Sequence, residues 1–302
     1  MVNQTFVETS GRRLSLSNLE KDLYPSYGFT KAYVLDYYRR IAPFMLPHLR
    51  DRALTLKRYP DGVEEDFFFE KRCPSHRPAW VKTAEIPQED GERLTACVVN
   101  DLETLIWAEN LASVELHVPL ARAGSPETPD SMVFDLDPGD QAGILECARV
   151  ALILRDLLFR LGLASYVKTS GKKGLHVYVP LNRKETTFDD TKTFSKAVAG
   201  IIQKHYPDLV TAKMAKVSRN AKVFINWSQN DASKTMICVY SLRAREKPFV
   251  SFPLEWKRLE NLAGKADPER LQVAHSEAVI RAEKKGDLFR EVPVKEQKLP
   301  HL

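Results

Sequence analysis

The sequence has little that would mark a secreted or membrane protein. Four cysteines, Cys73, Cys97, Cys147 and Cys238, are scattered through 302 residues. Their spacing suggests no disulfide framework, so a reduced, cytosolic compartment is expected. Cys73 and His76 form a C-x-x-H pair, but no matching pair completes a zinc ligand set. No run of about 18 apolar residues occurs, which argues against a membrane span. The opening segment MVNQTFVETSGRRLS has neither an apolar stretch nor a small-residue cleavage site, which argues against a secretory leader. Fixed-period repeats and low-complexity tracts are also missing. Charge of one sign is in small excess, a formal +5, and such a mild basic bias points only weakly to an anionic partner. What remains is ordinary globular composition, 43% hydrophobic and 28% charged, in a length that suits one large domain or two intimate ones.

The N-terminal third reads as a mixed α/β lobe. Thr30 precedes a helical pattern of Val34, Tyr38 and Ile41, with Pro43 near its expected end. Residues 53–59 alternate like a strand and Pro60-Asp61-Gly62 turns it. Residues 65–70 read as a second strand carrying Phe67, Phe68 and Phe69. Residues 87–93 are charged and read as an exposed loop. The middle of the chain is more regular. A strand over 131–137 leads to a helix with Leu154, Leu157, Leu158 and Leu161 on one face, stopped by Gly162. Strands over 165–169 and 175–181 follow, joined by a glycine turn. A second helix carries Phe194, Val198, Ile201 and Ile202, and a fourth strand spans 222–227. The order β-α-β-β-α-β is the ferredoxin-like or RRM-like unit, with strands one and three central and strand four beside strand one. The tail from about Arg281 is charged and proline-punctuated and reads as an arm or linker.

Two motifs carry chemistry. On the first strand, Phe134-Asp135-Leu136-Asp137-Pro138 sets two carboxylates on one face. Like charges this close raise a pKa unless a cation lies between them, and a hard divalent ion suits such oxygens. The plainer alternative is a strand end with two solvated acids. The second motif is Lys168-Thr169-Ser170-Gly171-Lys172-Lys173-Gly174-Leu175-His176. Its glycines let backbone approach an anion, and its lysines and Ser170 suit phosphate. It is not a Walker A sequence, and a basic hairpin turn is its plainer reading. One strand from the D-x-D, it suggests a triphosphate beside a metal site and hence nucleotidyl transfer. Alternation over 223–227 makes Asn226 the polar residue able to face the D-x-D from strand four. Arg243 and Arg245 suit phosphate, or ordinary surface pairing.

The chain resembles the polymerase domain of bacterial ligase D, of the archaeo-eukaryotic primase superfamily. The resemblance runs through residues 19–25, Thr30-Lys31, residues 35–38, Leu56-Lys57-Arg58-Tyr59-Pro60, Phe68-Phe69-Glu70-Lys71, the D-x-D, Ser170-Gly171 to His176, Trp227-Ser228-Gln229-Asn230 and residues 240–245. It implies an α+β primase-polymerase fold: an N-terminal DNA-contacting lobe over about 1–115, an RRM-like catalytic lobe over about 116–280 and a tail over 281–302. Asp135 and Asp137 would bind two manganese or magnesium ions. In that family a third metal carboxylate precedes the tryptophan-or-tyrosine run. Here the matching position holds Asn226, which keeps the shape and loses the charge. Ser170, Lys173, His176, Gln229 and Arg243 would hold the incoming nucleotide, with His117 near its sugar. Lys21 and Lys31 would grip the 5′-phosphate at a gap; their plainer reading is a solvated helix face. Phe68 and Phe69 would stack on bases, as against lying in a core strand. Asn18 and Arg58 would contact DNA, and the loop near 87–93 matches the region that helps two ends meet.

The function implied is a nucleotidyltransferase that fills gaps and extends ends in non-homologous end joining, preferring ribonucleotides. Its partners would be DNA ends, gapped 5′-phosphorylated DNA, nucleoside triphosphates, Ku and a DNA ligase. No membrane partner is expected, and the expected location is the cytoplasm, at the nucleoid. Asn226 supports one alternative, a catalytically impaired end-binding and synapsis module. De novo primase activity is the other.

Overall fold

The computed structural model describes residues 4–88, 90–264 and 267–300. The chain divides into two compact units, each discontinuous in sequence. The first comprises 1–118, 237–250 and 274–287, and the second 119–236, 251–273 and 288–302. The continuous lobe expected over 116–280 therefore yields two of its segments, and the first residues of the tail, to the first unit.

The first unit opens with an antiparallel hairpin, β1 (Gln4–Thr9) and β2 (Arg12–Ser17). Helix α1 (Lys31–Leu49) starts after Thr30 as expected but runs past Pro43 and Pro47. The buried row Val34, Tyr38, Ile41, Met45 and Leu49 continues through both prolines, and this packing outweighs the two lost backbone donors. Next come β3 (Ala53–Arg58), β4 (Phe68–Glu70), β5 (Thr83–Pro87), β6 (Arg93–Val98), α2 (Leu102–Asn110) and β7 (Ser113–Val118). The sheet order is β7-β3-β6-β5. β3 pairs with β6 at its start and with β4 at its end. The loop read over 87–93 is thus the turn of the β5-β6 hairpin; Glu89 within it lies outside the described residues.

One cysteine expectation fails. Cys73 and Cys97 form a disulfide, with Cα atoms 4.8 Å apart. The Cys73 N–H donates to Thr95 O on β6 (2.8 Å), which lays Cys73 beside that strand. With its sulfur in the disulfide, Cys73 is not half of a zinc site. Cys147 and Cys238 are buried and belong to no disulfide.

The second unit contains the β-α-β-β-α-β core in the expected order: β8 (Ser131–Pro138), α3 (Ile144–Arg160), β9 (Tyr166–Thr169), β10 (Leu175–Pro180), α4 (Phe188–His205) and β11 (Val223–Asn226). Its sheet runs Val210–Thr211, β11, β8, β10, β9, Pro253–Leu254, so strands one and three are central and four lies beside one. Alternation along β8 sends Phe134 and Leu136 to one face and Asp135 and Asp137 to the other. Gly162, at φ +75°, ends α3. A reciprocal Thr187/Asp190 box starts α4. Ile201, read as a core position, lies half out at 39% exposure.

The tail is not a free arm. Residues 281–285 finish the helix His275–Lys285. Further on, Phe289 and Val292 are buried. The Gln297 side chain accepts from Ala164 N at Oε1 and donates from Nε2 to Ala164 O and Pro180 O. Asn182 Nδ2 donates to Val292 O and Lys295 O. These groups satisfy backbone on both sides, which charge and proline content alone did not reveal. His301 and Leu302 lie outside the described residues. Among the described residues no helix is long and apolar enough to cross a membrane.

Candidate functional site

In the second unit, antiparallel pairing sets one polar row across the sheet. Asn226 on β11 is directly opposite Asp135 on β8, which is opposite His176 on β10, which is opposite Lys168 on β9. Asn226 Nδ2 donates to Asp135 Oδ2 (3.3 Å) and His176 Nε2 lies 3.3 Å from Asp135 Oδ1. Gln229 Nε2 reaches the same Oδ2 at 3.5 Å. The Asn226 carbonyl oxygen accepts from Ser228 Oγ at 2.8 Å. Asp137 lies two residues along the same face. Burial and the Asp135 charge push its pKa up to about 7, with Arg219 opposing. A carboxyl held that high by a neighbouring carboxylate is one a cation would discharge, so the pair suits a divalent ion. Among the described residues no group of three or more His, Cys, Asp or Glu gathers as a metal cage.

The turn between β9 and β10 is shaped by its glycines. Ser170 Oγ accepts from the N–H groups of Lys172 (3.2 Å) and Gly174 (3.1 Å), which leaves its own proton to donate. A Cβ on Gly174 would sit 2.2 Å from Leu136 O, so only glycine lets this turn lie against the D-x-D strand. Lys173 is exposed.

The first unit holds the other expected residues, in two clusters. In one, Glu115 and His117 share a face of β7, with Lys57 directly opposite Glu115 on β3. Glu115 is 1% exposed. Its Oε2 lies 3.0 Å from His117 Nε2 and 3.3 Å from Arg243 Nη1, and its Oε1 accepts from Ala244 N at 3.0 Å. Burial opposes its charge, but His117, Arg243 and Lys57 hold its pKa down at about 2. Burial lowers the His117 pKa in spite of Glu115. Arg243 is buried, so surface pairing does not describe it. Lys57 Nζ sits 3.7 Å from the Phe67 ring centre, and the Phe69 ring meets His117 edge-on at 5.9 Å. Phe68 and Phe69 are 44% and 53% exposed, so the core-strand alternative is wrong for them. Only Phe68–Glu70 of the strand expected over 65–70 forms.

The second cluster is a cavity of about 480 Å³ whose walls include Arg13, Asn18, Lys21, Lys31, Arg58 and His76. A backbone bond from Lys31 N to Lys21 O (2.8 Å) ties the two lysines together. Lys31 is only 4% exposed, so a solvated helix face does not describe it. Its Nζ donates to Ser17 O at 2.7 Å. Burial, with Arg58 and Lys21 nearby, lowers its pKa to about 8. Lys21 pairs with Asp61 at 2.8 Å, and Arg58 with Glu70 at 2.8 Å. Asn18 takes a left-handed φ of +52° and its carbonyl accepts from Lys21 N. Arg13 and Glu115 went unread in the sequence, and His76 was read only as half of a C-x-x-H pair. For Glu115 the signal was its i, i+2 spacing from His117 on a strand.

A family model described as the LigD primase-polymerase domain matches residues 30–289. The multifunctional non-homologous end joining protein LigD of Mycolicibacterium smegmatis is 41% identical over 279 residues, covering 92% of this chain and 36% of its own length. The bifunctional non-homologous end joining protein LigD of Bacillus subtilis is 32% identical over 249 residues, 82% of this chain and 40% of its own length. The chain thus spans well under half of the curated relatives it matches. Among solved structures, the polymerase domain from Mycobacterium tuberculosis ligase D in complex with DNA superposes with TM-score 0.87 at 37% identity, covering 94% of this chain and 99% of that one.

Proposed function

Because the chain belongs to the LigD primase-polymerase domain family, we propose that it is a DNA-end nucleotidyltransferase that fills gaps and extends ends in non-homologous end joining. The observation that carries this reading is the pair Asp135 and Asp137 on one strand face, with the Ser170–Gly174 turn packed against the same strand. Two divalent ions, manganese or magnesium, would be held by Asp135 and Asp137, beside Asn226. When bound, such ions supply a lowered pKa at the primer 3′-hydroxyl and charge neutralisation at the triphosphate. The Ser170 hydroxyl has its proton left to donate to a phosphate oxygen. Lys173 adds a mobile positive charge, and His176 and Gln229 orient Asp135. Arg243 is proposed as a phosphate contact and His117 as a contact of the nucleotide sugar.

In the first unit, Lys21, Lys31, Asn18 and Arg58 would receive a terminal 5′-phosphate. A terminal phosphate carries more charge than an internal one, and a buried lysine with a lowered pKa regains its proton affinity beside a dianion. Phe68 and Phe69 present exposed ring faces on which bases of any sequence can stack. Ribonucleotide preference, a Ku and ligase partnership, and a cytoplasmic location at the nucleoid belong to the same proposal.

Asn226 favours a second reading, an end-binding module with little catalysis, since a third carboxylate is replaced by a neutral amide. The separating experiment is primer extension with manganese on a gapped, 5′-phosphorylated duplex, comparing the chain with Asp135→Ala. Manganese-dependent extension that Asp135→Ala abolishes supports the enzyme. Tight gap binding without extension supports the binding module. A duplex begun without a primer would indicate a primase.

A further inference from the structure

We propose that Glu115 is a positioning residue for sugar recognition: it fixes His117 in the Nε2–H form, leaving Nδ1 as an acceptor for a sugar hydroxyl, and anchors Arg243 in the same act. This rests on the function proposed above and adds a residue to it.

The argument begins with donor counting. An ionised carboxylate only accepts. Glu115 receives three donors: Ala244 N–H at Oε1, and His117 and Arg243 together at Oε2. His117 must therefore present its proton from Nε2. A neutral imidazole with Nε2 protonated has a lone pair at Nδ1, and the ring's bond to Glu115 is made through Nε2, which leaves Nδ1 out of it. The ring keeps 14% of its surface exposed, so a small group can reach it. A hydroxyl can donate to such an acceptor, whereas a C–H in its place cannot. The low Glu115 pKa and the lowered His117 pKa, both noted above, keep these protonation states in place at neutral pH.

Glutamine at 115 cannot reproduce this pattern. One of its side-chain atoms becomes an NH2 donor and must face either Ala244 N–H or the His117 and Arg243 donors. Where it faces His117, the ring answers by accepting at Nε2 and moving its proton to Nδ1, and a sugar hydroxyl must turn its own proton away and accept instead. Where it faces Ala244 N–H, that bond is lost, and a neutral oxygen replaces the charge that held His117 and Arg243 in place.

The test has two readouts on the full chain. Nitrogen-15 NMR of the His117 ring should show a single Nε2–H form in the parent and loss of that fixed form in Glu115→Gln, as a mixture of tautomers or a shift toward Nδ1–H. ATP and dATP affinities, measured on a gapped duplex opposite thymidine, should favour ATP in the parent. Glu115→Gln should cut that ratio at least about fivefold, the scale of one hydrogen bond, with gapped-DNA affinity unchanged. Glu115→Gln added to His117→Ala should lower the ratio no further than His117→Ala alone. If Glu115→Gln melts far below the parent, Glu115→Asp and the parent NMR spectrum carry the test. An Nδ1–H ring in the parent, or an unchanged ATP/dATP ratio in a folded Glu115→Gln, overturns the proposal. A parent that extends primers without sugar preference also overturns it while the polymerase reading stands. A parent that neither binds gaps nor extends them overturns both.

Discussion

The Lys31 ammonium gives the account a prediction that can be worked from the structure. It is nearly buried, bonded to Ser17 O, and shares its cavity with Lys21 and Arg58. These surroundings lower its pKa from 10.5 to about 8. At roughly 1.4 kcal/mol per pKa unit, carrying the charge costs the free protein roughly 3 kcal/mol below that pH. Since the folded pKa lies below the unfolded one, the unfolded chain binds more protons between about 8 and 10.5. Stability from this group therefore rises with pH across that window. Binding of a 5′-phosphate has the opposite dependence. The phosphate is a dianion from about pH 7 upward, and its partner is the protonated lysine. Above pH 8 each bound phosphate must bring a proton back to Lys31, so preference for a phosphorylated gap should fall by up to about tenfold per pH unit. An ordinary lysine would hold its charge until above pH 10. Fluorescence anisotropy of gapped duplexes with 5′-phosphate or 5′-hydroxyl, from pH 6.5 to 9.5, measures this. Lys31→Arg should flatten the profile, and Lys31→Met should lower the preference at every pH. Equal affinity for the two gaps at pH 7, or a preference constant to pH 9.5, would refute the reasoning.

Other outcomes follow from the same geometry. Removing both lysine charges should reduce the slope of log affinity against log salt by about 1–2, because fewer counterions are released. Phe68→Ala and Phe69→Ala should weaken DNA engagement by about 1–3 kcal/mol while changing the melting temperature little, since both rings are half exposed; a large drop in melting temperature would make them structural. Cys97→Ser should cost about 2–4 kcal/mol of stability, the usual scale for opening a disulfide loop, read by denaturant unfolding with and without reductant. Gly174→Ala should destabilise the protein and abolish nucleotide binding together, because the new Cβ collides with Leu136 O. Normal melting and binding would show that the turn has room.

The core of the fold was legible because period-two and period-3.6 patterns alternate cleanly from 131 to 227. The register that places Asn226 opposite Asp135 follows from that topology. The less legible parts depend on distant neighbours. Nothing local in Cys73 or Cys97 announces their pairing, which exists because Cys73 lies beside β6. Helix α1 outruns Pro43 because its apolar row is buried on both sides of the proline. The tail reads as a linker until the Gln297 side chain meets the backbone of Ala164 and Pro180 and the Asn182 amide donates to Val292 O and Lys295 O. At the site, the D-x-D and glycine turn stood out by chemistry. Glu115 did not, because its i, i+2 spacing from His117 gains meaning only when Arg243, distant in sequence, arrives beside it.

The central claim is that this chain transfers nucleotides and that Asn226 limits the rate. Asn226 Nδ2 now donates to Asp135, so an aspartate there adds a charge where a neutral donor sat. In the free protein the three acids would repel one another, and with divalent ions present the extra carboxylate would strengthen their hold. Single-turnover extension of a gapped, 5′-phosphorylated primer with manganese, for the chain and for Asn226→Asp, tests this most directly. The account predicts measurable extension by the chain and a rate at least about tenfold higher for Asn226→Asp, about 1.4 kcal/mol of barrier, with nucleotide affinity changed much less. Equal rates would contradict the role given to position 226, and no product from either form would contradict the assignment of the activity itself.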